Sequence, residues 1–485
     1  MLFNSYIFIF AFLPVTFFVY FYLNKKRFTE VSKGFLVFAS LFFYSWWNII
    51  YLPLILISML FNYVLGRQLA KVIYQNHMKK MLLMVGVIAN LALLGYFKYA
   101  DFFIENVNIL LDTDISLLHL ALPLAISFFT FQQIAYLVDS YRGETQEYDF
   151  LNYAVFVAFF PQLIAGPIVH HAEMMPQFEN IRNKVKNYRN IALGLFIFSI
   201  GLFKKVILAD TFAVWATNGF DIAEKLNLFE AWVTSLSYTL QLYFDFSGYT
   251  DMAIGAALLF SIKLPINFNS PYKATSIQDF WRRWHMTLSR FLKDYVYIPL
   301  GGNRKGEIRT YTNLFTTFLL GGIWHGAGWT FVLWGAMHGI ALVIHRAWQQ
   351  LGFRMHMILA WFITFNFINI GWVFFRAKEF DDAIKVLKGM FGMTGITLPH
   401  ILLSKLSFLS QYDIEFGNYI REIGGNTYTL FWLISGLLIV LGLKNSMELL
   451  QNFKVSYKIV WFSGILFIIG ILSMNKVSEF LYFNF

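Results

Sequence analysis

Two neighbouring stretches decide how this chain has to be built: Asp279-Phe-Trp-Arg-Arg-Trp-His-Met-Thr-Leu-Ser-Arg-Phe-Leu-Lys-Asp294, and Leu319-Leu-Gly-Gly-Ile-Trp-His-Gly-Ala-Gly-Trp-Thr-Phe-Val-Leu-Trp-Gly335. Each carries a histidine, His285 in the basic, Trp-rich piece and His325 in the apolar one. Wound at about 100° per residue, the first piece puts Trp281, Trp284, His285, Leu288, Phe291 and Leu292 on one face and Arg282, Arg283, Met286, Arg290 and Lys293 on the other. That pattern predicts an interfacial helix over residues 279–294, lying in the headgroup layer with its aromatic face down. His285 then points away from water, either as a packed interfacial residue or as a functional one. The second piece predicts a helical region over residues 315–345 inside the bilayer. There an imidazole is costly without a partner or a task, so His325 is a functional candidate by default.

Composition agrees with a membrane setting. Of the 485 residues, 58% are hydrophobic, 20% aromatic and only 14% charged, against about 25% charged in soluble domains. Apolar runs approaching the length of a spanning helix recur from end to end, so the fold class is an all-α polytopic membrane protein. The net charge of +10 gives no reason to expect nucleic acid, because Lys and Arg cluster in short loops between apolar runs, as cytoplasmic loops do. With no cysteine, disulfides, thiol nucleophiles and Cys–metal sites are excluded. The residues before Lys25 lack Lys and Arg, so the basic n-region of a cleavable signal is missing.

In chain order, the spans are expected at 6–23, 34–47, 50–65, 81–97, 117–137, 191–207, 229–260, 311–345, 356–375, 428–444 and 458–475. Lys25, Lys26 and Arg27 place the end of the first span inside and Met1 outside; Arg67, Lys71, Lys79 and Lys80 mark a second inner loop. Residues 151–169, broken by Pro161, Gly166 and Pro167, have cytoplasmic-looking flanks and read as a re-entrant loop or as a kinked span. Ser127, Thr130, Gln132 and Gln133 are suited to interhelical contacts. Asp245 and Asp251 fall in an apolar run, where each would cost about 3 kcal/mol if left without a cation, a hydrogen-bond network or water. Residues 263–310 hold nine Lys or Arg (263, 273, 282, 283, 290, 293, 304, 305, 309) against three acids (279, 294, 307), which keeps them on the cytoplasmic side. Segment 377–427 is mixed and partly amphipathic. No soluble domain and no long repeat is evident, so residues 1–485 are taken as one multipass domain.

The residues exclude several chemistries. There is no Gly-x-Ser-x-Gly elbow, no Gly-Lys dipeptide for a P-loop, no His-Glu-x-x-His and no cluster with zinc spacing; no metal site is expected. Histidines remain, with hydroxyl and carboxylate neighbours, under a basic cytoplasmic surface. A neutral imidazole can take a proton from a hydroxyl, and a basic mouth can hold a phosphorylated donor such as coenzyme A. Together these suit acyl transfer across a membrane. Gly322 and Gly326, like Gly335 and Gly339, form Gly-x-x-x-Gly pairs, which serve close helix packing, room for a substrate beside the imidazole, or both. His338 and His345 share the apolar run and compete with His325 on sequence alone.

The chain resembles the bacterial membrane-bound O-acyltransferases (MBOAT), and among them the integral membrane subunits of alginate and other exopolysaccharide O-acetyltransferases. The resemblance rests on Leu122-Pro-Leu-Ala-Ile-Ser-Phe-Phe-Thr-Phe-Gln132, Phe160-Pro-Gln-Leu-Ile-Ala-Gly-Pro-Ile168, Phe244-Asp-Phe-Ser-Gly-Tyr-Thr-Asp-Met-Ala-Ile-Gly255, Asp279 through Leu300-Gly-Gly-Asn303, Gly322-Ile-Trp-His-Gly326 and the terminal Tyr482-Phe-Asn-Phe485. It implies that His325 is the catalytic histidine and His285 the second functional one. Trp324, Asp245, Ser247, Arg283, Arg290, Lys293 and Asn303 are the candidate substrate-binding residues. His170 stands where the resemblance suggests an arginine.

The implied fold is a ring of spanning helices around a thin centre, with a cytoplasmic and an extracytoplasmic funnel meeting at the catalytic histidine. No bound cofactor is implied. The donor would be acetyl-CoA or an acyl carrier protein, the setting the bacterial inner membrane, and the partners the bilayer, an extracytoplasmic acyltransferase and a polysaccharide acceptor. The expected activity is O-acetyl transfer from a cytoplasmic thioester to a cell-surface or secreted polysaccharide, with D-alanyl transfer to teichoic acid and peptidoglycan O-acetylation as alternatives. A polysaccharide or lipid-precursor flippase is the rival of another class; it would predict an inverted repeat and would consume no acyl donor.

Overall fold

Long apolar runs that must satisfy their own backbone in lipid become helices, and the computed structural model, which describes residues 1–71, 76–145, 147, 149–164, 166–474 and 481, is built almost wholly of them. A π-helical turn leads into α1 (Leu13–Lys25), followed by α2 (Thr29–Ser45), α3 (Leu52–Ala70), α4 (Asn76–Leu111) and α5 (Ile126–Arg142). Short helices α6 (Phe150–Ala158), α7 (Phe160–Leu163) and α8 (His171–Glu179) come next. Helix α9 (Tyr188–Phe203) passes through a π-helical turn into α10 (Asp210–Thr217), and α11 (Leu228–Leu259) returns beside it. Then come α12 (Ile277–Trp281), α13 (Met286–Leu292), α14 (Glu307–His325), α15 (Trp329–Gln350), α16 (Met357–Arg376) and α17 (Phe380–Met390). Strands β1 (Ile396–Pro399) and β2 (Ile414–Gly417) pair in parallel around the single turn α18 (Leu403–Leu406), and α19 (Thr427–Gly442), α20 (Ser446–Gln451) and α21 (Tyr457–Leu472) complete the order. Among the described residues six helical stretches are long and apolar enough to cross a membrane: Phe8–Lys25, Ile49–Ala70, Asn76–Leu111, Tyr188–Ile222, Trp329–Gln350 and Met357–Arg376.

The loops segregate by contact into two sets. Lys33 reaches Asn152, Arg142 the Asp294 carbonyl, Gln177 the Lys263 carbonyl, and Lys273 the Leu443 carbonyl. On the other side Tyr51 reaches the Ala121 carbonyl, Trp329 reaches Asn106, and Arg376 pairs with Asp221. The first set is the basic one, and this partition is what alternating crossings require.

Helix α11 is the axis of the packing, buried over nearly its whole length and started by a capping box between Asn227 and Glu230. It lies backbone-to-backbone on α9: a Cβ on Gly201 would come 2.6 Å from the Gly248 carbonyl, and one on Gly255 would come 2.7 Å from that of Gly194. Two lysines from the turn after α9 supply the cations that Asp245 and Asp251 need, Lys205 to Asp245 at 2.6 Å and Lys204 to Asp251 at 2.7 Å. Gln133 of α5 hydrogen-bonds Asn62, which also pairs with Asn90 at 2.7 Å, so amides tie α3, α4 and α5 together.

The structure departs from the sequence expectation at the breaks. Residues 279–294 form two short helices, not one interfacial helix. Residues 311–345 form a helical hairpin, with Gly326 and Gly328 in extended conformations between α14 and α15. The span expected at 81–97 extends to Leu111, and the one expected at 117–137 starts only at Ile126. Helix α6, with 9 residues, rises only about 14 Å. It cannot cross a hydrocarbon core of about 30 Å by itself, and it is buried in protein as broken backbone in a membrane must be. The terminal Tyr482–Phe485 motif lies outside the described residues.

Candidate active site

Helix α14 delivers His325 as its last residue, and the chain then leaves at Gly326-Ala327-Gly328 to start α15. The two helices pack at the closest approach glycine allows. A Cβ on Gly322 would lie 2.5 Å from the Phe331 carbonyl, and one on Gly335 would lie 2.7 Å from that of Phe318. The space of these glycines is therefore filled by the partner helix, and aromatic rings wall the imidazole instead. His325 is 3% exposed. Its ring centroid lies 4.9 Å from Trp324, 5.1 Å from Trp334 and 5.1 Å from Phe375.

His285 is the corner between α12 and α13, held at φ 41° and ψ 54°. A side chain in this left-handed region costs about 1–2 kcal/mol, and Asn267 holds it there. The Asn267 carbonyl accepts from Met286 N, and its side-chain oxygen accepts from Thr287 N at 3.2 Å, Thr287 Oγ1 at 2.9 Å and His285 Nδ1 at 3.1 Å. Because that oxygen can only accept, Nδ1 carries the proton and the lone pair is on Nε2. Phe246 packs on the ring at 4.8 Å, and Trp324 lies 6.5 Å from His285, so one indole flanks both imidazoles. His338, also fully buried, accepts at Nδ1 from Trp281 Nε1 at 3.2 Å.

One pocket lies along the first part of α14 and a second at its C-terminal end. One, about 700 Å³, opens among the basic loops and is lined by Lys293, Asn303, Arg304, Lys305, His345 and Arg346 around the rim, with Leu292, Thr317 and Phe318 at depth. Arg346 is paired with Glu307 at 2.9 Å; Lys293, Arg304 and Lys305 make no ion pair among the described residues. The other, about 270 Å³, opens on the opposite side and is lined by Lys98, Asp101, Leu120, Leu122, Gly326 and Phe331. It touches the residue after His325, whereas the basic pocket reaches Phe318, about 10 Å back along the helix axis.

The candidate residues thus divide. His285, Trp324 and His325 come together, and Lys293 and Asn303 line the basic pocket. Arg283 is instead paired with Asp279 at 2.8 Å, and Arg290 with Glu173. Asp245 and Ser247 belong to the lysine network on α11, where Asp245 also accepts from Leu481 N at 3.0 Å and Ser247 lies 3.5 Å from Lys204. His170 joins Asp139 and Tyr295 at 3.3 and 3.0 Å. Residues not singled out from the sequence are Asn267 and Lys98. Asn267 gave no local signal. Lys98 followed a span expected to end at 97, and was detectable only once α4 was known to continue past it.

The MBOAT, membrane-bound O-acyltransferase family, profile matches residues 41–378. The peptidoglycan O-acetyltransferase of Helicobacter pylori is 52% identical across 100% of this chain and 98% of its own length. The probable alginate O-acetylase of Pseudomonas aeruginosa is 42% identical over 81% of this chain and 75% of its own. A teichoic acid D-alanyltransferase of Bacillus subtilis is 28% identical over 53% of this chain and 69% of its own.

Proposed function

The chain belongs to the membrane-bound O-acyltransferase family, a multipass bacterial membrane enzyme that acylates a polysaccharide, and from that premise we propose that it moves acetyl groups from cytoplasmic acetyl-CoA across the inner membrane for O-acetylation of peptidoglycan. The observation that carries this reading is His325, placed at the end of α14 between a basic pocket on the inner side and a smaller pocket on the outer side. The full-length similarity to a peptidoglycan O-acetyltransferase favours that acceptor over the alginate-type exopolysaccharide expected from the motifs. An acyl carrier protein is the alternative donor, and an extracytoplasmic acyltransferase the partner that completes delivery to the wall.

The chemistry follows from the groups present. Lys293, Arg304 and Lys305 hold the donor's phosphates, with Asn303 a polar neighbour at the rim. The thioester carbonyl is brought up to His325. A hydroxyl on the outer side gives its proton to the imidazole while its oxygen bonds the acyl carbon. The C–S bond breaks, and the thiolate leaves with the proton from the histidine. General-base help of this kind contributes about 10²–10⁴-fold. His285, fixed through Nδ1 and next to Trp324, orients the reacting partners at its Nε2 side.

The test is alkali-released acetate from purified peptidoglycan of cells expressing the wild type or His325→Ala, normalised to membrane protein. Acetate that depends on His325 is expected in the wall fraction. Acetate found only in secreted polysaccharide would move the acceptor to the exopolysaccharide class, and acetate independent of His325 would sink the catalytic assignment. Charge reversal at Arg304 and Lys305 should raise the donor KM more than it lowers kcat, because it removes ground-state binding; an unchanged donor KM would remove these residues from the donor site.

A further inference from the structure

Lys98 places its amine well inside a 36-residue helix, and among the described residues no carboxylate is within ion-pair distance of it. A lysine so placed is a functional candidate by default. Its Nζ donates to the carbonyl of Trp324 at 2.7 Å and to that of His325 at 2.9 Å, with Ser127 Oγ at 3.3 Å. The neighbouring Tyr99 hydroxyl donates to the Ile323 carbonyl at 2.7 Å. Three successive carbonyls at the end of α14 are thus capped from α4.

That cap answers a need of the local sequence. The last carbonyls of a helix have no partner within it, and α14 stops without a cap from the residues that follow it, since Gly326 turns away at φ −161°. N–H donors there also face the negative end of the helix dipole. The bonds fall on the backbone of the histidine itself and of the indole that flanks it, and Lys98 lines the outer pocket beside Gly326. We propose that Lys98, assisted by Tyr99, is a positioning residue for the reaction: by capping α14 it fixes the Trp324–His325 backbone and so the placement of the His325 imidazole beside the outer pocket. This rests on His325 being the base.

The experiment uses the full-length protein in isolated membranes with labelled acetyl-CoA as donor, comparing wild type, Lys98→Met, Lys98→Arg, Tyr99→Phe and His325→Ala. Lys98→Met should lower kcat about 100-fold, the cost of misplacing a catalytic group by about 1 Å, with the donor KM within about twofold of wild type. Lys98→Arg, which keeps N–H donors at the position, should regain at least about a tenth of wild-type kcat, and Tyr99→Phe should lose about threefold. If Lys98→Met fails to accumulate in the membrane, the Arg and Phe variants decide the matter in the same way. The proposal is overturned by near-normal kcat in accumulated Lys98→Met, by a change confined to donor KM, or, where Met does not accumulate, by wild-type kcat in Tyr99→Phe. Activity in His325→Ala would instead remove the reading beneath it, so the two failures are distinguishable.

Discussion

His325 and His338 are both buried imidazoles on neighbouring helices, and their surroundings separate them. The His338 Nδ1 is taken by the Trp281 indole, a packing contact, whereas His325 ends its helix beside the outer pocket. His325→Ala should therefore leave the protein in the membrane at normal amount and drop acyl transfer by about 10²–10⁴-fold. His338→Ala opens a cavity and strands the Trp281 N–H, so it should lower thermal stability by about 2–4 kcal/mol while the folded fraction stays active. Activity assays normalised to folded protein by size-exclusion chromatography check both; the opposite assignment follows if His338→Ala is folded and inactive. Asn267→Ala removes the acceptor that fixes the His285 tautomer, and should lower kcat by about 10-fold or more with little effect on donor KM; unchanged kcat would leave His285 a packing residue. An imidazole in an apolar run is an anomaly, but His338 and His345 shared that run with His325, and only the Gly-Ile-Trp-His-Gly motif of the family resemblance singled His325 out. Asn267 was not legible in the sequence, since its tie to His285 spans 18 residues and exists only after the chain has turned. Lys204 and Lys205 lay in view within the 191–207 run, yet their meaning needed α11 beside them.

At the scale of elements, the helices were legible, as was the break in 151–169 that its prolines announce, but the interruptions at His285 and at Gly326 were not. The 3.6-residue pattern of 279–294 holds on both sides of His285, because the left-handed corner changes the direction of the helix without exchanging its buried face. Trp281 and Trp284 before it, and Leu288, Phe291 and Leu292 after it, are all buried as the wheel requires. The break comes from residues 267–269 pairing with 283–287, a tertiary contact that no periodicity carries. The α14–α15 hairpin was hidden similarly, by apolar residues on both sides of the Gly326-Ala327-Gly328 turn. Its glycines give a sharp expectation. Gly322→Val must displace backbone atoms 2.5–2.9 Å from the new Cβ, and overpacking of this kind costs about 1–3 kcal/mol or more. The variant should melt earlier in detergent and lose activity in proportion to the altered hairpin. Gly464→Ala in α21, which meets nothing within 4 Å, should be neutral or stabilising by up to about 1 kcal/mol. Equal melting points for the two variants would mean that close packing at Gly322 contributes nothing.

The whole molecule has a direction, and charge set it before any contact was known. Lys25, Lys26 and Arg27, the Arg67–Lys80 loop and residues 263–310 fall on one side by the excess of Lys and Arg. The structure ties two of these segments to further loops of the same side, Asn76 to Tyr141, Asp294 to Arg142, Lys263 to Gln177 and Lys273 to Leu443. The donor pocket belongs to the basic side through Lys293, Arg304 and Lys305, so the orientation of the chain is also the orientation of the reaction: a thioester must arrive from the cytoplasm for transfer to run outward. The chain has no cysteine, which makes single introduced thiols clean reporters. Cysteines at Lys26 and Lys305 should resist a membrane-impermeant maleimide in intact cells and react once the membrane is opened. A cysteine at Tyr412, on the segment between β1 and β2 and 67% exposed, should react without opening it. If Lys305→Cys is labelled in intact cells while Tyr412→Cys is protected, the basic pocket faces out, a cytoplasmic thioester has no path to His325, and the transfer direction argued from the charges is wrong.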